Sequence, residues 1–130
     1  MAQTGRPLSP HLQVYKWQVQ MVSSILHRAT GIVLAVGSLI IIWGLASLAA
    51  GPDAFGTFTG IAGSAFGTVI MIGWTLCFFY HLCNGIRHLV QDTGKGYGIE
   101  SFVRSSWLAI AAAIVLTALV WVYVLMGGHA

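Results

Sequence analysis

Between Asp53 and Arg87 the chain carries no charged side chain at all. A run of that length cannot alternate between a wet and a dry face, so it constrains the fold more than any other feature. Its natural solvent is hydrocarbon, where roughly twenty apolar residues in a helix suffice to cross and where an unpaired backbone amide is too costly to leave open. The rest of the chain agrees: 57% of residues are hydrophobic and 7% charged, against about a quarter charged in soluble domains. In so apolar a chain the formal charge of +3 marks membrane topology, and no nucleic-acid partner is expected. The expectation is an all-α membrane protein, one anchor domain over residues 1–130, in contact with phospholipid.

Three spans are predicted. Residues 1–20 are polar and hold Pro7 and Pro10, which argues against a long helix there. The first span runs from about 22 to 50 and stops at the turn signal Gly51-Pro52-Asp53. The second runs from about 57 to 89, with Gly63 and Gly67 as a small-xxx-small pair open to a neighbouring helix. Thr93 to Gly98 is a flexible connector, and the third span runs from about 103 to 127. Cys77 and Cys83 both lie in the second span and read as packing residues, since no metal-ligand spacing is present.

The basic residues set the orientation. Arg6, Lys16 and Arg28 precede or open the first span, and Arg87, Lys95 and Arg104 surround the loop between the second and third. The loop between the first two spans and the final tail have no Lys or Arg. The positive-inside rule then predicts a cytoplasmic amino terminus and a periplasmic carboxyl terminus. Asp92 reads as an interfacial partner for Arg87 and His88. The start has neither a secretory signal nor an import leader, so a bacterial inner membrane is expected ahead of a mitochondrial one.

Chemistry concentrates at His81. An imidazole deep in an apolar helix is costly and faces the protein interior. His81, Asn84, Gly85 and His88 fall at i, i+3, i+4 and i+7 and share a helix face, which Trp74 and Gly67 extend at seven-residue steps. A plain packing histidine would satisfy the first observation. The glycine one turn on leaves space for a flat, bulky neighbour, and haem iron takes axial imidazole. A second axial ligand would be His27, or a histidine of another subunit; His88 lies on the face of His81 and cannot reach across the ring. At the mouth of the first span, Ser24 and Arg28 are four apart, so a hydroxyl and a guanidinium can meet one ligand. Helix capping and snorkelling to lipid phosphates explain the same pair. Trp17 fits an interfacial belt.

Taken together, Arg6-Pro7-Leu8-Ser9-Pro10-His11-Leu12-Gln13-Val14-Tyr15, Ser24-Ile25-Leu26-His27-Arg28-Ala29-Thr30-Gly31 and His81 followed by Gly85-Ile86-Arg87-His88-Leu89 resemble the cytochrome b membrane anchors of succinate dehydrogenase, in their mitochondrial and alphaproteobacterial branch. The resemblance implies one of two small anchors that pack into a helical bundle and hold a flavoprotein and an iron–sulfur subunit on the membrane. Electrons from succinate would pass through the iron–sulfur subunit to ubiquinone. By the resemblance His81 is the axial ligand of haem b, shared with the second anchor. Ser24, Arg28 and Trp17 match quinone-site residues, and His27 and Arg28 match residues near the haem propionates, with Gly85 beside the ring and His88 as a further neighbour. The chain has no flavin fingerprint and no cluster-binding cysteines, so it would be an enzyme only as a subunit. A cofactor-free scaffold and a small transporter with His81 in a proton path are the competing readings.

Overall fold

The computed structural model describes Val14 and residues 16–127. The Arg6–Tyr15 motif, apart from Val14, and His129 lie outside the described residues. Among those described there are four helices and no strand: α1 (Val19–Ala50), α2 (Pro52–Ala62), α3 (Ala65–Asp92) and α4 (Ile99–Gly127). Three of them, α1, α3 and α4, are long and apolar enough to cross a membrane. Each first turn starts a few residues before the sequence-based estimate in α1 and α4, because the amphipathic residues Gln20 and Glu100 are taken into the helix.

The second expected span, 57–89, is not one helix. Gly51 adopts φ +118°, a backbone that side-chain-bearing residues avoid, and Pro52 follows at the first position of α2, where its missing amide costs nothing. The new helix lasts eleven residues. It ends because Ser64 is extended and accepts a hydrogen bond from the Gly67 amide at 3.1 Å, capping α3 in the way serine caps a helix start. Gly63 therefore sits in the turn that closes α2 and Gly67 in the first turn of α3, so they do not form one small-residue ridge. Gly67 serves the joint itself: a Cβ there would collide with the Ile61 and Ala62 carbonyls.

Packing inverts the pattern of a soluble protein. The buried apolar residues are Tyr80, Ala109 and Ala113, while Ser23, Thr30, Ser47, Asn84, Arg87, Gln91, Ser106 and Thr117 are buried too. Leucine, isoleucine and valine point outward along every long helix, as expected where lipid is as apolar as they are and small residues let backbones approach. On α4 the buried positions Ser106, Ala109, Ala113 and Thr117 recur at helical spacing and form one such stripe.

The face marked by seven-residue steps on α3 lies against α1. Gly37 faces the Trp74 indole so closely that a Cβ would overlap Nε1. Lower down, Gly31 faces His81, whose Cε1 would stand 3.1 Å from an added Cβ. At the far end Phe58 of α2 fills the notch at Gly44 and meets Trp43 edge-on at 4.9 Å. Gly37→Leu should separate α1 from α3. Overpacking of this kind costs about 1–3 kcal/mol or more, and the expected readout is a several-fold loss of chain recovered from detergent-solubilised membrane, against little change for Gly73→Leu, where a Cβ meets nothing.

Candidate functional site

His81 sits half-buried on α3 with its ring against α1. Its Nδ1 is 3.1 Å from the His27 carbonyl oxygen. A carbonyl only accepts, so Nδ1 carries the proton. The Thr30 hydroxyl, which donates to the Leu26 carbonyl at 2.8 Å, lies 3.3 Å away as a second acceptor. In the neutral ring this bond selects the tautomer whose lone pair is on Nε2, and among the described residues Nε2 has no hydrogen-bond partner. That is how proteins prepare a histidine for metal, with the outer nitrogen tied to a carbonyl and the inner one left as a lone pair.

Two more imidazoles adjoin it. His27 stacks on His81 with ring centroids 4.0 Å apart and planes 11° from parallel. His88 approaches His27 at 5.2 Å, tilted. With the two rings stacked this closely, no flat group lies between His27 and His81 in this arrangement, and the His27 Nδ1 is buried without a partner. Gly85 faces His27, whose Cε1 would be 3.8 Å from an added Cβ, an ordinary contact. Within this chain the glycine therefore borders an imidazole.

Beneath the histidines lies a buried polar network that sequence reasoning underweighted. Asn84 is fully buried; its Oδ1 accepts from the Ser23 hydroxyl at 3.0 Å and from Arg87 Nη1 at 3.1 Å. Its Nδ2 donates to His88 Nε2 at 3.2 Å, so His88 turns an occupied nitrogen inward. The Tyr80 hydroxyl donates to the Ser23 carbonyl at 2.9 Å. Arg87 Nε donates to the Ser105 hydroxyl at 3.0 Å, and the guanidinium lies over the Phe102 ring at 4.3 Å. One asparagine and one arginine thereby tie α1, α3 and α4 together. The sequence signal was available: Tyr80, Asn84, Arg87 and Gln91 fall at i, i+4, i+7 and i+11, a polar stripe at helical period. Arg87 is thus an interior residue and not only a topology marker. Asp92, expected as its partner, is exposed and takes no part.

The proposed quinone residues are placed differently. Ser24 is half-buried, Arg28 exposed, and Trp17 exposed in the extended segment before α1. They lie in or just before the first turns of α1 without hydrogen-bonding one another, and the inward-facing neighbour of Ser24 is Ser23. Cys77 and Cys83 are free thiols. Among the described residues no group of three or more His, Cys, Asp or Glu side chains could enclose a metal ion; an iron here would rest on one imidazole of this chain.

Comparison with known proteins adds the family. Residues 2–120 match the profile described as the succinate dehydrogenase/fumarate reductase transmembrane subunit. The chain is similar to the succinate dehydrogenase cytochrome b556 subunit of Paracoccus denitrificans, 40% identical over 88% of each chain. Its counterpart in Rickettsia felis is 38% identical over 90% of this chain and 91% of the relative. The mitochondrial cytochrome b560 subunit of Mus musculus is 38% identical over 89% of this chain and 68% of that one.

Proposed function

The chain belongs to the family of succinate dehydrogenase/fumarate reductase transmembrane subunits, and from that premise we propose that it is the haem b- and ubiquinone-binding anchor of a succinate:quinone oxidoreductase in a bacterial inner membrane. It is a membrane subunit of an enzyme complex and holds no succinate chemistry of its own. The observation that carries the reading is His81: Nδ1–H bound to the His27 carbonyl and Nε2 free. The side chains suit a haem in their chemistry, because one imidazole is held through Nδ1 by a carbonyl and a second is stacked beside it. When bound, the haem supplies a one-electron redox centre. His81 would ligate its iron, with the opposite ligand from a second small anchor. His27, with an unpartnered buried nitrogen, Arg28 and His88 would stand near the propionates.

Quinone is the substrate of the outer site. Ser24 and Arg28 would donate to its carbonyl oxygens at the membrane edge, where each donor stabilises negative charge gathering on a reduced oxygen. Trp17 would border the ring. The exposure of Arg28 and Trp17 supports this reading, since it leaves them open toward the iron–sulfur and flavoprotein subunits that would dock on the side where the basic residues gather. A b-type signal in the reduced-minus-oxidised spectrum of the complex purified from native membrane tests the haem assignment. Its absence would leave a cofactor-free scaffold. Ser24→Ala and Arg28→Ala should each lower quinone reduction at least tenfold, the loss of one charge-assisted bond, while succinate oxidation by a soluble dye persists. Parallel loss of both activities would assign these residues to assembly.

A further inference from the structure

We propose a second site, for the phosphodiester of a membrane phospholipid, between the end of α3 and the start of α4. The starting point is a charge without a counter-ion. Arg87 is 8% exposed, and its partners are Asn84, Ser105 and an aromatic ring, none of them an anion. A buried cation left in that condition is costly unless something negative completes it. Its Nη2 is buried without a hydrogen-bond partner, and so is Nε2 of Gln91, itself 6% exposed. These two residues stand four apart on α3 and line the same cavity of about 210 Å³, together with Lys95, Ser101, Ser105 and Val90. None of these side chains is a carboxylate, and every polar one except Ser105, whose proton goes to the Phe102 carbonyl, can donate.

The volume is that of on the order of seven water molecules, enough for a phosphate group. Phosphate also matches the free donors: a guanidinium edge, an amide, an ammonium and the Ser101 hydroxyl. The sequence outside the described residues, 1–13, Tyr15 and 128–130, holds no Asp or Glu, so no acidic side chain of this chain remains to fill it. Depth decides between a free anion and a lipid. The cavity sits at the ends of two membrane-spanning helices, where headgroups lie and where basic residues attract them. Its Val90 wall is half-exposed, and Ile86, one turn earlier on α3, and Leu108 on α4 are exposed as well, apolar surface suited to an acyl chain. Gly94 and Gly96, with φ +83° and +79°, reverse the chain here and bring Lys95 back over α3. The site is independent of the haem and quinone assignments.

Native mass spectrometry of the intact purified complex tests it. The expected result is one phospholipid that survives detergent removal, retained at least tenfold less in the Gln91→Leu/Lys95→Ala double variant, whose haem spectrum and dye-linked succinate oxidation are unchanged. Arg87 is left in place because it also holds the bundle. Equal lipid retention in the two proteins would overturn the proposal. So would loss of the adduct on washing with inorganic phosphate and its replacement by free phosphate, which would assign the donors to a soluble anion.

Discussion

Replacing His81 by alanine should abolish the b-type absorbance of the purified complex while the chain still reaches the membrane. The ring is half-buried and contacts α1 at Gly31, the His27 carbonyl and the His27 ring. Its removal opens a slot beside a glycine and frees two acceptors, Thr30 Oγ1 and the His27 carbonyl, the Thr30 proton being shared between the Leu26 and His27 carbonyls at 2.8 and 3.0 Å. The helix contacts above, at Gly37 and Trp74, and the Asn84 network below do not pass through this side chain. Loss of signal together with loss of the whole chain would therefore point to packing. Loss of signal with the chain retained would identify a ligand. Added imidazole should enter the slot and restore part of the absorbance, because the His27 carbonyl that fixes the tautomer remains. An unaltered spectrum in His81→Ala would remove His81 as the ligand.

The three spans were legible because charge is absent over long runs, and a bilayer offers few alternatives to a helix there. The seven-residue face from Gly67 to His88 was legible for the same reason that any helix face is: its period is fixed by backbone geometry. What sequence could not separate was a glycine that invites a neighbour from one that ends a helix. Gly63 and Gly67 have the spacing of an interface, yet Ser64 between them offers its hydroxyl to the Gly67 amide, and that local bond decides the matter. Arg87 was misjudged on the opposite ground. Topology explains a basic residue near a span end so readily that its inward orientation, set by Asn84 three residues before it, went unread. Ser24 and Ser23 show the finest limit. One step along a helix turns a side chain by about 100°, enough to send one serine into the network and leave its neighbour at the rim.

The largest stability effect is expected at Asn84, where a single amide serves three partners on the axis of the bundle. Asn84→Leu keeps the volume but removes the acceptor for Ser23 and Arg87 and the donor to His88. The guanidinium, already lacking a partner at Nη2, then has Ser105 alone for a hydrogen bond. Removing a buried hydrogen bond to a charged group in this way costs about 1.5–3 kcal/mol, more than the roughly 1 kcal/mol of an ordinary hydrogen bond. The measurement is the thermal midpoint of the detergent-purified complex together with the yield of this chain. Arg87→Leu added to Asn84→Leu should recover more than half of the loss, because removing both polar partners leaves no unpaired charge behind. Asn84→Asp should stay closer to the starting protein, since a carboxylate still accepts from Ser23 and pairs with Arg87, although it no longer donates to His88. A double variant as unstable as the sum of the two single ones would show that the arginine and the asparagine act separately, and that the three helices are held by their small-residue stripes alone.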